Sequence, residues 1–287
     1  MNMRTIAIIA SVAAASLLST GCEKLRARDN LNRGVNAFKS AKYADAVAAF
    51  QQAVDYDPDF HTARLYLATA YRSQYIPGAE SDENKQLAKR AMEEFQKVYA
   101  AETDATSNTK KLAIQSIASL HYDEAQGQTA LEDKFRKLDE AGEWHQKLIK
   151  IDPAAKESYY TLGVIAWAKT YPLQKKARVE MKMKDEEPGP LKDKKIRETL
   201  QARNTPIVDE GIAAMRKAIE VDKEYDDAMA YLNLLLRVKS DIANTPAEAK
   251  ALSQEADDWV TKALEVKKVK AARQPATTGI IQEEGKK

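Results

Sequence analysis

The stretch that decides the fold is residues 34–58, GVNAFKSAKYADAVAAFQQAVDYDP. Two small residues, Gly34 and Ala46, stand 12 positions apart, and Phe50 follows Ala46 by about one helical turn. Small residues at this spacing predict two antiparallel helices that cross closely. Phe50 is expected to fill the space beside the crossing, and Pro58 to end the second helix.

This stretch resembles the tetratricopeptide repeat (TPR), a helix–turn–helix unit of about 34 residues with the pattern W-x2-L-G-x2-Y, then A-x3-F, then P. Four weaker copies of the same signature follow along the chain. Their defining residues are Ala68, Ala91 and Phe95; Ala118, Ala141 and Pro153; Gly163 and Gly211; and Asn233 and Ala256. The resemblance implies an all-α fold, a right-handed superhelix of about five TPR-like hairpins.

The spacing of the small residues supports the repeat. From the second helix of one copy to the first helix of the next it is 22 residues in three of four cases, which matches a repeat of about 34. Within the hairpins, three copies gain 11 residues over the first, about three helical turns, and the fourth gains 36. We predict an array over 29–271, with repeats at about 29–58, 59–102, 106–153, 154–223 and 224–270.

Several of these hairpins are therefore expected to be lengthened at the turn inside the repeat. Turn residues stand at the required places, at Pro77-Gly78, Gly127 and Asn244-Thr245-Pro246. Thr129 and Thr245 each precede a glutamate by three positions, which predicts capping boxes. The insertions collect on one edge of the array, either as a binding face or as tall hairpins that pack on each other.

The fourth hairpin carries the longest insertion, a charged segment at about 169–204. Basic and acidic blocks alternate there around Pro188-Gly189-Pro190. One interpretation is a surface that docks on anionic lipid or on an acidic partner. The alternative is a solvated charged loop or a short pair of helices.

The amino terminus has the layout of a secretory signal, with one positive charge at Arg4 and an apolar run from Ile6 to Leu18. The run is too short to span a bilayer, which takes about 20 residues. Its ending, Leu18 to Cys22, resembles the lipobox of bacterial lipoproteins. That resemblance implies removal of residues 1–21 and a lipid, with palmitate, on Cys22. The alternative is an ordinary signal whose cleavage zone contains a cysteine.

Residues 22–28 are then expected to form a basic tether that reaches at most about 25 Å when extended. Residues 272–287 lack periodicity and are expected to form a flexible tail. Bacterial lipoproteins kept in the inner membrane often have Asp after the cysteine. Here Glu23 follows, so the resemblance favours the outer membrane, with the chain facing the periplasm.

Composition and motifs argue against nucleic-acid binding and catalysis. Without residues 1–21 the chain has 44 basic and 43 acidic residues, whereas a nucleic-acid binder concentrates a positive excess on one face. There is no nucleophile elbow, phosphate loop or H-E-x-x-H pair. No cofactor or metal site is predicted. The alternative is a helical hydrolase or metalloenzyme in which His121 and His145 face each other across one hairpin.

The TPR resemblance places first helices on a concave groove, where Tyr, Trp and Arg are the residue types that dominate binding. The groove candidates are Leu65, Tyr66, Arg72, Tyr75, Tyr160, Trp167 and Arg237. The alternative for each is packing between repeats. Chaperone-binding TPRs hold a terminal carboxylate with lysine and asparagine at positions occupied here by Leu31 and Val35. A carboxylate clamp is therefore not expected, and an apolar segment is favoured as ligand.

Together these features predict a lipid-anchored TPR scaffold that faces the periplasm, binds proteins or peptides and has no catalysis of its own. The alternative is an accessory subunit of a complex for cell-envelope assembly or cell-wall remodelling.

Overall fold

The structure is a computed structural model that describes residues 3–184 and 187–273, with side chains described from residue 21 onward. These residues form ten helices and no strand: α1 Met3–Lys39, α2 Tyr43–Tyr56, α3 His61–Arg72, α4 Asp82–Ala101, α5 Asn108–Gln126, α6 Leu131–Ile151, α7 Lys156–Glu180, α8 Lys194–Val221, α9 Asp226–Asp241 and α10 Pro246–Arg273. Consecutive helices pair as five hairpins, α1–α2 through α9–α10. The prediction of an all-α fold with about five hairpins is confirmed. The right-handed sense of the superhelix stays a prediction.

Small residues let the paired helices approach closely. A Cβ atom on Gly34 would lie 2.4 Å from Phe50 Cε1, so α1 and α2 can meet in this way only at a glycine. On α7, a Cβ atom at Gly163 would lie 2.4 Å from Met215 Cε on α8. The small-and-bulky signature therefore has the physical basis expected from the sequence.

Most of the repeat-defining residues lie in the core. The buried ones are Gly34, Ala46, Phe50, Ala68, Ala91, Phe95, Ala118, Ala141, Gly163, Gly211 and Ala256. Pro58 and Pro153 are exposed and follow the ends of α2 and α6. Asn233 differs from the others, because it is only half-buried and its Oδ1 accepts a hydrogen bond from Arg237 Nε at 2.9 Å. It is a partly exposed polar residue, unlike the buried small residues at the matching positions.

The chain divides into two compact units, Met1–Pro153 and Ala154–Lys287. Each unit has its own buried side chains. The first is centred on Phe50, Phe95 and Leu120, and the second contains Met215 and Leu232, both fully buried.

The lengthening of the hairpins is confirmed, and it is distributed in two ways. Both helices are long in the third hairpin, at 19 and 21 residues, and in the fourth, at 25 and 28. In the second hairpin, α3 has 12 residues and α4 has 20, and further residues lie in the turn 73–81. The turns of the second and third hairpins touch, since a Cβ atom on Gly127 would lie 2.4 Å from the Gly78 nitrogen.

One of the two predicted helix caps is correct. Thr245 Oγ1 accepts a hydrogen bond from the Glu248 N–H at 3.2 Å, where α10 begins. The Thr129 cap is wrong, because α6 begins at Leu131 after Ala130, one residue later than the motif requires, and no side chain caps that helix end.

The segment 169–204 is largely helical, because α7 continues to Glu180 and α8 begins at Lys194. The turn between them carries apolar side chains inward. Leu191 is fully buried and packs with Met183 and Ala177, with Ile196 against them. Of the two forms of the alternative, a pair of helices agrees with the structure and a solvated loop does not, because the turn has a small core of its own.

Cys22 is an exposed residue within α1. Residues 22–28 are helical, so they span about 10 Å rather than the extended 25 Å. Ala27 is fully buried, and the Arg26 guanidinium lies 5.8 Å from the centre of the Tyr56 ring. This segment is therefore part of the first hairpin and not a flexible tether. Its packing against α2 is the physical reason for the difference.

The last helix reaches into the predicted tail. Residues 272 and 273 belong to α10, and 274–287 lie outside the described residues. Within the described part of the chain, no helix combines the length and the apolar character needed to cross a membrane.

Candidate partner-binding site

Five aromatic rings lie in contact with one another in the second unit, and we call them the aromatic strip: Tyr225, Tyr160, Tyr231, Trp167 and Tyr171. The Tyr160 ring centre lies 5.2 Å from that of Tyr225 and 5.5 Å from that of Tyr231. Trp167 lies edge-on to Tyr231 at 5.9 Å and stacks on Tyr171 at 4.8 Å. Four of the rings are half-buried, and Tyr171 is 37% exposed.

Helical periodicity explains why three of these rings lie on the same side of α7. Residues 160, 167 and 171 are separated by about two turns and one turn, so they share one face of α7. Tyr231 faces them from α9, and Tyr225 lies just before that helix. Burial raises the pKa of Tyr225 to about 12, with help from nearby acidic residues. Its hydroxyl group therefore stays protonated near neutral pH.

A cavity of about 400 Å³ adjoins the strip, and we call it the α7–α9 pocket. Trp167 and Tyr171 line it together with Gln174, which follows on the same face of α7. The turn of the extended hairpin closes one side. Gly189 in that turn packs so closely that a Cβ atom there would lie 2.5 Å from the Ser240 carbonyl oxygen.

The arginines of the α7–α9 pocket are neutralised by carboxylates. Arg178 Nη2 lies 2.7 Å from Asp241 Oδ1, and both side chains are largely buried. Burial raises the pKa of Asp241, and the Arg178 guanidinium opposes that rise. Arg237 Nη2 lies 2.6 Å from Asp257 Oδ1 at the rim. The pocket therefore has no excess cationic charge from its arginines.

The fold is similar to several solved structures. The MamA RS-1 ArsTM double mutant is 14% identical, with a TM-score of 0.50 and coverage of 86% of this chain and 97% of that one. A crystal structure of MamA protein is 18% identical, with a TM-score of 0.49 and coverage of 88% and 97%. YrrB, described as a TPR protein with an unusual peptide-binding site, is 15% identical, with a TM-score of 0.44 and coverage of 83% and 90%. No protein-family model and no curated protein matches the chain.

The chain has a TPR fold. Within it, the groove candidates of the second unit lie close together. Trp167 and Arg237 line the same pocket, and Tyr160 belongs to the aromatic strip that leads to it.

The groove candidates of the first unit mostly hold helices together. Leu65 packs against the core, and the Tyr66 ring stacks on Phe50 at 5.4 Å, with 38% of Tyr66 exposed. Arg72 on α3 donates two hydrogen bonds to Asp123 Oδ2 on α5, at 3.0 Å from Nε and 2.6 Å from Nη2. For these residues the packing alternative describes what the structure shows.

Tyr75 lines a second cavity, of about 620 Å³, together with His121, Glu124 and Lys137. Burial raises the pKa of Tyr75, and the carboxylates of Glu124 and Asp123 raise it further. Several charged side chains line this cavity, unlike the aromatic strip.

One group among the described residues has metal-ligand geometry, His121, Glu124 and Glu140, and the first two of them line this cavity. His121 has carboxylate neighbours, since its Nδ1 lies 3.0 Å from Glu140 Oε2 and 3.3 Å from Glu124 Oε2. His145 is not part of the group.

Lys137 occupies the centre of this cluster, with Nζ 2.8 Å from Glu124 Oε2 and 2.8 Å from Glu140 Oε2. Burial lowers the pKa of Lys137, but its contacts with the two glutamates outweigh that and leave the pKa above its usual value. Burial also raises the pKa of Glu124, yet contacts with His121 and Lys137 bring it below the usual value. A protonated lysine thus already supplies the cation that these carboxylates need.

Sequence reasoning missed Tyr171, Tyr231, Tyr225 and Gln174. The signal for Tyr171 and Gln174 was present, because they follow the predicted Trp167 at helical spacing on α7. It was hidden by the placement of 169–204 in an insertion of unknown structure.

Proposed function

We propose that the protein is a scaffold without chemistry of its own that binds segments of other proteins on the aromatic strip of its second unit. The aromatic strip carries this proposal. Aromatic side chains offer large contact areas at low entropic cost, and Tyr and Trp are enriched in the residues that dominate protein interfaces. Partly exposed rings in mutual contact form a ready-made surface for an apolar segment.

Site-specific crosslinking tests the binding surface. A photoreactive phenylalanine analogue replaces Tyr171 in one variant and Leu264, which is 54% exposed on α10 of the same unit, in a matched control. Crosslinked proteins are expected from position 171 and not from position 264. Equal products at both positions, or none at 171, would contradict the proposal. One stoichiometric product would favour an envelope-complex subunit, and several partners would favour a general scaffold.

We also propose that the protein is held at a bacterial membrane, the outer membrane by preference, through a lipid on Cys22 and faces the periplasm. Support comes from the lipobox-like ending at Cys22 and from Glu23 after it. Wild-type protein is expected to take up labelled palmitate and to begin at Cys22, whereas Cys22→Ser takes up none. Intact mass and metabolic labelling measure this. An unlabelled wild-type protein that still carries residues 1–21 would refute the anchor.

A further inference from the structure

The α7–α9 pocket contains two buried polar atoms that have no hydrogen-bond partner among the described residues. They are Nε1 of Trp167, a donor, and Oε1 of Gln174, an acceptor. Gln174 is 1% exposed. Native proteins pair nearly all such atoms, because an unpaired buried donor or acceptor is destabilising.

The hydrogen bond of the Gln174 amide nitrogen fixes the orientation of the amide group. Its Nε2 donates a hydrogen bond to the Val238 carbonyl oxygen at 2.9 Å, so Oε1 is the atom left over. Trp167 and Gln174 are seven residues apart on α7, on one face and about 10 Å apart along the helix axis. Both residues line the pocket, so a ligand there would lie beside one unpaired donor and one unpaired acceptor.

Peptide groups along an extended segment fit that arrangement, since each carries an N–H donor and a C=O acceptor and about three residues of an extended chain span about 10 Å. An extended segment leaves these groups available, whereas a helix uses them internally. A carboxylate ligand is not favoured, because Arg178 and Arg237 are paired with Asp241 and Asp257. Trp167 and Tyr171 belong both to the pocket and to the aromatic strip, so a segment on the strip leads directly into the pocket.

We propose that the α7–α9 pocket binds the main chain of an extended segment of a partner protein. Trp167 donates to a peptide carbonyl oxygen, and Gln174 accepts from a peptide N–H. This inference rests on the proposed scaffold function and adds the class of ligand and the recognising atoms.

The test begins with a phage-displayed library of random linear peptides, selected on the full-length protein. Selected peptides are synthesised, and their affinities are measured by titration calorimetry. Trp167→Phe removes the donor but keeps an aromatic ring, and it is expected to weaken binding about threefold to tenfold. Trp259→Phe is the matched control. The Trp259 indole donates to Glu255 at 3.3 Å on α10, outside the pocket, so its replacement leaves the affinity unchanged.

A second variant separates the hydrogen bond from the loss of volume. Benzothienylalanine at position 167 has the shape of tryptophan with sulfur in place of the N–H, and it is expected to weaken binding as Trp167→Phe does. In parallel, each main-chain N–H of a selected peptide is methylated in turn. One position is expected to lose affinity for the wild-type protein and to lose little for Gln174→Met, because the acceptor is already gone.

The outcomes distinguish the two proposals. If no peptide is enriched, the proposed function fails. If peptides bind but both position-167 variants bind them as the wild type does, the pocket inference is overturned and the scaffold function stands. Tolerance of N-methylation at every position also overturns main-chain recognition, and points to a side-chain carboxamide as the ligand.

Discussion

His145 shows how a single buried residue ties stability to pH. It lies on α6 with 5% of its surface exposed. Burial disfavours the charged imidazolium and lowers the pKa of His145 from 6.5 to about 4. Between these two pH values the unfolded chain takes up a proton that the folded chain does not. The contribution of His145 to the stability of the folded chain is therefore fully present above pH 6.5 and is lost as the pH falls towards about 4.

We expect the free energy of unfolding to fall by roughly 2 to 3 kcal/mol between about pH 7 and about pH 4.5, at about 1.4 kcal/mol per unit of pKa shift. His145→Gln removes this titrating group, so the stability of the variant should fall less steeply than that of the wild type over this range. Urea unfolding at a series of pH values measures both slopes. Parallel curves for the two proteins would show that another group is responsible.

At the scale of residues, the sequence predicted steric requirements better than polar ones. The contact between Gly34 and Phe50 could be predicted, because a bulky side chain at a close helix crossing needs a residue without a side chain opposite it. A Cβ atom at Gly34 would indeed clash with Phe50. The same reasoning could not find Gln174. Whether an amide oxygen is left without a partner depends on the orientation of neighbouring carbonyl groups, which no spacing reveals. The contact of Asn233 with Arg237 has the same character, because its hydrogen-bond partner was not indicated by the repeat spacing.

At the scale of elements, the turn after α7 is held by Arg178. Its guanidinium donates to Asp241 at 2.8 and 2.7 Å, and to the carbonyl oxygens of Lys184 and Glu187 at 2.7 and 2.8 Å. The Leu191 N–H donates to the Asp241 carbonyl oxygen at 2.8 Å. One arginine thus joins the turn of the fourth hairpin to the end of α9.

Arg178→Met is expected to destabilise the protein by about 3 to 5 kcal/mol, because it leaves the buried Asp241 carboxylate without its partner. The amide of Leu191 should also exchange faster with solvent. Urea unfolding and hydrogen exchange measure the two effects. Adding Asp241→Leu should restore most of the stability.

Arg216→Met provides the matched control, since Arg216 pairs with Glu255 at 2.7 Å with 54% and 38% of the two side chains exposed. An exposed pair contributes only about 0 to 1 kcal/mol. If the two arginine variants lose equal stability, the assignment of Arg178 as the residue that holds the turn is wrong.

The fourth hairpin also marks how far the sequence could predict elements. Its extra residues were counted correctly, but the alternating charges left a docking surface, a solvated loop and a short pair of helices all open. Most of the described charged side chains there are exposed, with Arg178 as an exception, and a few apolar residues, including Leu191 and Met183, decide the packing. Charge patterns describe the solvated face of a segment and say little about its buried face.

At the scale of the whole molecule, the chain is two compact units joined near Pro153 and Ala154. Periodicity predicted one array, because every repeat resembles the next in sequence. The division depends on how much surface each pair of neighbouring helices buries. The repeat signature does not encode that amount.

Residues 154–287 are expected to fold alone, because the unit has its own buried core and contains the whole α7–α9 pocket. A single cooperative transition in urea is the expected observation. Residues 106–223, which also contain two hairpins but cross the division, are the matched control and should unfold with a lower m-value and a lower midpoint. Similar behaviour of both fragments would argue against two units.

The aromatic contacts also give each unit an optical reporter. Trp144 in the first unit lies edge-on to Tyr99 at 4.9 Å, and Trp167 in the second stacks on Tyr171 at 4.8 Å. Indole rings held rigidly against other rings give near-ultraviolet circular dichroism that vanishes when packing is lost. With Trp259 and one of these two tryptophans replaced, the remaining fluorophore reports on its own unit without any label. The thermal unfolding of each unit can thus be followed separately by the fluorescence of its own tryptophan.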